Sequence, residues 1–359
     1  MQVEQWGEGI ANWMTSISEI LIVAKALNAT FVEPCIHKGR LTYCSETHNV
    51  KLSDIFRMDK MKEFHPFIVS HEVFQQNVIN DAHDNSSTHF QRICHTAQKY
   101  SSKCGEGLLN QHSNISSPSL EAAVASAQNS QRTVLQLTSY WKDGWKNMKF
   151  KGRPLIPSKG PTVKMIYNKY FHFTQEIYDF VDMILKEAGI KGENYSVIQW
   201  RGEIHSLDYV SCARHIITAR AIMQEEEGRR DYKTRGNETA FVLISPLNRN
   251  ESLTWNTRSK GADAQEALQL LLDDNGFLKL DLLVQKHQDF VRDSIFLAAA
   301  DLVLAQKAKE FVTCDKSCNS ICAQCGHQGS FVQLAETLRN ARDKNSTSCW
   351  PERNAGPRN

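Results

Sequence analysis

The chain lacks an excess of either charge. Over 359 residues, 42 Lys and Arg stand against 40 Asp and Glu, a formal net charge of +2. With no long basic run, that balance excludes a nucleic-acid binder that works through bulk charge. No apolar run reaches the length of a membrane span; the longest, around "SIFLAAADLVLA", is broken by Asp301. Membrane attachment is expected only through a segment outside this sequence. The opening "MQVEQWGEG" is polar and carries no secretory signal pattern. It supplies only a stub of a first strand, so the natural chain is expected to begin upstream. No internal repeat is evident, which excludes a solenoid.

Cysteines and glycosylation acceptors, by contrast, are plentiful. Ten cysteines accompany seven N-x-S/T sequons, which begin at Asn28, Asn85, Asn114, Asn194, Asn237, Asn250 and Asn345. Such sequons matter only in the secretory pathway, and an even cysteine count fits disulfides formed in an oxidising lumen. The expected compartment is the lumen of the endoplasmic reticulum or Golgi; a cytosolic chain with incidental sequons and free thiols is the competing reading.

Apolar residues at helical spacing from Ile10 to Leu27 predict a helix over 9–27, followed by a short buried strand in "TFVEP". Residues 75–160 are rich in Ser, Asn and Gln and read as an irregular insertion of loops and short helices, with Cys94 and Cys104 as a local bridge. From Phe173 onward the pattern becomes regular. A helix stops near Gly189, and strand "SVIQW" follows. A helix over about 208–224 leads to the charged turn "EEEGRRDYKTRGNE" and strand "AFVLISP". Helix 263–273, a strand near "LKLDLLV", helix 289–308, strand "EFVTC" and helix 330–342 complete the region. Alternating strands and helices imply a parallel sheet covered on both faces, with ligands at the carboxyl ends of its strands. Two α/β domains facing a cleft are expected: residues 1–188 with the insertion, and residues 189–345, followed by a tail over 346–359.

Arg201 stands where strand "SVIQW" meets its loop. A guanidinium there costs desolvation unless an anion meets it, and its fork can hold a diphosphate through two parallel hydrogen bonds. A salt bridge to Glu203 or Asp208 would serve equally well. Gly7 and Gly9 allow close backbone approach before a helix N-terminus that favours negative charge. Glu8 between them could deprotonate an acceptor hydroxyl, or merely complement the helix dipole. Ser330 and Phe331 open the last helix, where backbone N–H groups and a hydroxyl suit phosphate oxygens; an ordinary N-cap and an ordinary core residue would look the same.

The stretch "QWRGEIHSLDYVSCA" resembles the H-x-R-x-x-x-D motif of the GDP-fucose-dependent protein O-fucosyltransferases and the related α-1,6-fucosyltransferases. Two further segments resemble the same superfamily. "WGEGIANWMTSISEILIVAKALNATFVEP" is similar to its opening turn, helix and strand, and "AAADLVLAQKAKEFVTC…HQGSFVQLAETLRNAR" to its pattern of Asp, Phe and a Ser-Phe turn. The likeness covers residues 6–34 and 195–342. It implies a GT-B type α/β fold, two Rossmann-like domains with a nucleotide sugar between them. It further implies a glycosyltransferase that moves fucose from GDP-fucose to a hydroxyl of a protein or glycan, with inversion.

Within that likeness Arg201 takes the role of the arginine on the β-phosphate, and Glu8 that of the catalytic base. Gly7, Gly9 and Asn12 form the turn at the nucleotide sugar. Gln199 stands where the family has His, and Glu203 and Asp208 both compete for a shifted acidic position. Asp301 takes the guanine-reading place, ten residues before Phe311, and Ser330 and Phe331 the phosphate-binding turn. Ser245 follows the middle strand, where this chain has Ser-Pro-Leu-Asn in place of a small residue and Asp.

No Asp-x-Asp occurs anywhere, which suits the metal-independent kind of transferase, so neither a metal nor another cofactor is expected. Cys314, Cys318, Cys322 and Cys325 lie beside His327 at spacings that fit either disulfides or a zinc knuckle. Cys35 and Cys44 suggest another closed loop. The changes at Gln199 and Ser245 leave open a binding module of the same fold that has lost catalysis, or a transferase using another nucleotide sugar.

Overall fold

A computed structural model describes residues 2–5, 10–26, 28–37, 40–42, 50–76, 89–95, 112–115, 133–139, 163–200, 208–230, 239–244, 261–279, 294–313, 325 and 330–340. The chain divides into two compact units, Met1–Thr174 and Gln175–Asn359. The division falls before the helix that ends at Glu187, not after it at residue 188 as the sequence suggested.

In the first unit, β1 (Gln2–Gln5) is followed by α1 (Ile10–Ala26). Met14, Ile17, Leu21 and Ala24 recur on one face of α1 and are fully buried. Asn28 ends that helix in the left-handed region at φ 51°, where Asn is tolerated better than most residues. The chain then enters β2 (Phe31–Val32), β3 (Cys35–His37), β4 (Arg40–Thr42) and β5 (Val50–Lys51), the short helices α2 (Leu52–Ile55) and α3 (Met58–Phe64), β6 (Ile68–Val69) and α4 (His71–Phe74). Strands β7 (His89–His95), β8 (His112–Ile115) and β9 (Thr133–Ser139) precede α5 (Val163–Tyr170).

A seven-stranded mixed sheet runs β5-β3-β4-β1-β9-β7-β8, and β2 pairs separately with β6. The expected loop-and-helix insertion therefore carries three strands of that sheet instead, and β9 lies parallel to β1 from Gln2↔Gln136 to Gln5↔Ser139. Phe56 stacks on Phe173 with ring centroids 5.4 Å apart and meets the edge of Phe171 at 5.2 Å. These contacts bind the end of this unit back to α2 and α3.

The second unit contains α6 (Gln175–Glu187), β10 (Tyr195–Gln199), α7 (Tyr209–Arg230), β11 (Ala240–Ile244) and α8 (Gly261–Gln269), which continues as a π-helical turn over Leu270–Asp274. Helix α9 (Ser294–Lys307), β12 (Glu310–Thr313) and α10 (Ser330–Asn340) follow. The three strands form a parallel sheet in the order β11-β10-β12. Each is an almost unbroken buried run, as a sheet covered on both faces demands.

Helix α6 belongs here because its apolar face, Ile177, Phe180, Val181, Ile184 and Leu185, packs on α9, with Phe180 against Phe296 at 5.1 Å. It stops at Gly189, whose φ of 75° lets Ile190 N–H reach back to the Leu185 carbonyl at 2.8 Å. Helix α7 runs six residues further than expected, to Arg230. The spacing of Glu225 and Glu226 from Arg229 and Arg230 favours continuing the helix over making a turn. Of "LKLDLLV" only Leu278 and Lys279 are described, and Leu278 forms an isolated parallel bridge to Val242.

Candidate functional site

The second unit presents the better-defined edge. Gln199 is level with both Ile244 and Thr313, so all three parallel strands end at the same height. Their following connections leave from that one carboxyl edge, where open α/β sheets bind ligands. Trp200 extends the edge by one residue: its N–H donates to the Ile244 carbonyl at 2.8 Å, and its side chain is fully buried.

Because side chains alternate along a strand, Tyr195, Val197 and Gln199 share one face of β10 and Ser196, Ile198 and Trp200 the other. Tyr195 donates its hydroxyl to the Leu304 carbonyl of α9 at 2.9 Å, so the Gln199 face is the α9 face. Gln199 itself is 4% exposed and closes that face at the edge. Ile198 and Trp200 pack in the opposite core, with Tyr209, Cys212, Ala213 and Ile216 of α7.

Arg201 lies outside the described residues, as do Glu203 and Ser245. Their attachment points are nonetheless fixed. Arg201 is the second residue past β10 in the sequence. Ser245 directly follows β11. The connection that carries Arg201 is anchored at both ends, because the Trp200 and Tyr209 rings meet edge to face at 6.2 Å.

At the far end of that connection Asp208 caps α7. Its carboxylate accepts the Ser211 N–H and the Ser211 hydroxyl, each at 2.7 Å. The Ser211 hydrogen bonds hold the Asp208 carboxyl below the usual carboxylate range. Of the two acids that competed to pair with Arg201, Asp208 is thus already engaged as an N-cap.

The other connections bring further groups. Ser330 is the first residue of α10 and Phe331, half-buried, the second, which places the Ser-Phe turn at a helix N-terminus. Asp301 lies in the middle of α9, half-buried and already engaged in an interaction. Its companion in the pattern, Phe311, is fully buried in β12 and serves the core.

Two residues that the sequence reading did not single out organise this unit, one beside this edge and one at the opposite end of the sheet. Cys212, in the first turn of α7, forms a disulfide with Cys325, five residues before Ser330; their Cα atoms are 5.3 Å apart. Cys325 is therefore removed from the zinc-knuckle alternative, since a half-cystine offers no thiolate. Cys314, Cys318, Cys322 and His327 lie outside the described residues. So do Cys44 and Cys104, although Cys35 is disulfide-bonded. Only cysteine parity hinted at Cys212, which the expected local pairs left over.

The second missed residue is Arg339, fully buried near the end of α10. Its Nη1 donates to the Ala305 and Ala308 carbonyls at 2.7 Å and its Nη2 to the Lys309 carbonyl at 3.2 Å. Burial pushes its pKa down, while Tyr195, Glu310 and Glu193 act in the opposite sense. The guanidinium caps the C-terminus of α9 and fixes the turn into β12.

In the first unit, β1 ends at Gln5 and α1 begins at Ile10; Gly7, Glu8 and Gly9, between them in sequence, lie outside the described residues. Asn12 is the third residue of α1. Nearby in sequence, Glu33 follows β2, and burial raises its pKa while the Ser53 N–H donates to its carboxylate at 2.6 Å. Glu33 is thereby spent on the first turn of α2. Among the described residues no group of three or more His, Cys, Asp and Glu could hold a metal ion.

The sequence model of one family, described as GDP-fucose protein O-fucosyltransferase, matches residues 3–320. A search of curated proteins finds no match. Among solved structures, the apo form of POFUT1 aligns with a TM-score of 0.50 at 11% identity, covering 96% of this chain and 96% of that one. POFUT1 in complex with GDP-fucose gives 0.48 at 12% identity, covering 96% and 94%. A mutant of Arabidopsis thaliana FUT1 in complex with GDP gives 0.42 at 11% identity, covering 93% and 67%.

Proposed function

The chain belongs to the GDP-fucose protein O-fucosyltransferase family, and on that premise we propose that it moves fucose from GDP-fucose to a hydroxyl of a protein or glycan, inverting the anomeric carbon without a metal ion. The observation that carries the reading is the level carboxyl edge at Gln199, Ile244 and Thr313, with the connection bearing Arg201 clamped at its base. The proposed fold is of the GT-B α/β type, with two Rossmann-like domains.

The acceptor oxygen attacks C1 from the face opposite the diphosphate and gives its proton to the Glu8 carboxylate. As the C1–O bond breaks, its electron pair passes to the β-phosphate oxygen, and Arg201 neutralises the charge that develops there. Asp301 reads the guanine, and Ser330 and Phe331 form the phosphate-binding turn. Gly7, Gly9 and Asn12 line the sugar side, with Gln199 and Ser245 along the nucleotide.

The first test is thermal unfolding with GDP, UDP and ADP in the presence of a chelator. A ligand bound only to the folded state raises the melting temperature, by about 2.7 kcal/mol of stabilisation at one hundred times its Kd. GDP alone is expected to do so. A shift with UDP or ADP in its place would reassign the donor. No shift with any of the three would favour the second reading, a binding module without catalysis, to which Gln199 in the family's His position already points.

We place the enzyme in the lumen of the endoplasmic reticulum or Golgi. The buried Cys212–Cys325 disulfide supports this, as does the sequon at Asn28, where both Asn28 and Thr30 are exposed. Expressed through a eukaryotic secretory pathway, the chain is expected to carry an N-linked glycan on Asn28, detectable by peptide mass spectrometry before and after glycosidase. Asn28→Gly should remove the glycan while keeping the left-handed turn. An unmodified Asn28 in secreted protein would count against the assignment.

A further inference from the structure

We infer that the Cys212–Cys325 disulfide is a positioning device for the donor, and not simply a staple for the second unit; this rests on the reading above. Two of the three connections that leave the carboxyl edge are joined by it. Cys212 lies eleven residues after Arg201 and Cys325 five residues before Ser330. The bond therefore ties the helix that closes the Arg201 connection to the segment that delivers the N-terminus of α10.

Both half-cystines are fully buried in the core that holds Trp200 and Tyr209, the ring pair at the base of the Arg201 connection. Displacement of Cys325 must therefore disturb α7 or that ring pair. The fold has less need of the bond. A three-stranded sheet covered on both faces, in a unit running from Gln175 to Asn359, buries a core of the size that ordinarily stands without crosslinks. Diphosphate binding is more demanding, because groups from separate connections must converge on one anion within a fraction of an ångström.

The test replaces both cysteines, which avoids a stranded thiol. Cys212→Ala with Cys325→Ala is compared with wild type, and Cys212→Val with Cys325→Ala serves as a second pair that refills the space left by sulfur. GDP affinity is measured by calorimetry well below the melting temperature, together with KM and kcat for the donor. A core variant away from this edge, Phe277→Leu, controls for lost stability alone.

Loss of the bond is expected to weaken GDP binding and raise the donor KM by at least about tenfold, with a smaller change in kcat. Phe277→Leu should lower the melting temperature and leave GDP affinity unchanged. Folded cysteine variants that bind GDP within twofold of wild type overturn the inference and leave the proposed function standing. Equal weakening by Phe277→Leu overturns it too. A wild-type chain that binds no GDP overturns both.

Discussion

Replacing Arg201 by Ala is expected to cost about 10²–10³-fold in kcat, because a fixed cation aimed at the departing diphosphate acts mainly in the transition state. The variant should also lose its thermal response to GDP, since the ground-state diphosphate carries much of the same charge. Arg201→Lys should recover only part of the activity: an ammonium is a point charge and cannot make two parallel hydrogen bonds. The measurement is single-turnover fucose transfer with GDP affinity determined in parallel. An alanine variant within about tenfold of wild type would show that the leaving group is stabilised from elsewhere. Glu8→Gln gives a useful contrast. It should lower transfer and leave GDP affinity intact, because the proposed proton acceptor touches the acceptor substrate and not the nucleotide.

The second large effect concerns stability. Arg339→Leu removes the donors that satisfy the carbonyls of Ala305, Ala308 and Lys309. Each buried acceptor left without a partner costs about 1–3 kcal/mol, so we expect a loss of about 3–5 kcal/mol once partial hydration is allowed for. Arg339→Lys should be nearly as damaging, because one ammonium cannot span three carbonyls in the geometry of a planar fork. Denaturant unfolding at constant m-value reads the difference. A loss below about 1 kcal/mol would mean that water enters the turn and replaces the guanidinium. The consequence reaches the site, since α9 carries Asp301 and α10 begins with Ser330. At temperatures where the variant is still folded, its GDP affinity should fall less than in Arg201→Ala.

How much of this could be read from sequence differs sharply between the units. In the second, "YSVIQ", "AFVLI" and "EFVT" are short apolar runs between helical patterns, the mark of strands buried on both faces. Their order also located the carboxyl edge of the sheet, at Gln199, Ile244 and Thr313. In the first unit "HFQRICH" and "HSNI" mix polar and apolar residues within a Ser- and Asn-rich region, and local composition outweighed their weak alternation. Their strand character comes from pairing: β8 with β7, β7 with β9 and, through β9, with β1. Such partners lie far away in the chain and leave no local trace.

The site shows the same limit. Gln199 at a strand end and Asn12 and Ser330 in the first turns of helices could be assigned from local pattern. Asp208 could equally have been an ion-pair partner or a cap, and only its two bonds to Ser211 decided it. Cys212 and Arg339 were missed because their partners, Cys325 and three backbone carbonyls, are fixed by tertiary structure. A lone Cys or Arg on a helix carries no periodic signal that would reveal them.

The placement of β10 between β11 and β12 has a consequence for biosynthesis. Ser196 on β10 meets Glu310 on β12 across 114 positions of sequence. At roughly 5–20 residues per second, a ribosome needs about 6–23 s to supply that partner. Throughout that interval the central strand of the sheet has one edge uncovered, open to wrong pairing or to chaperones. The crosslink between Cys212 and Cys325, across 113 positions, can form only after the uncovered edge has had its partner synthesised. An oxidase acting on this pair therefore seals a sheet whose strands have all emerged.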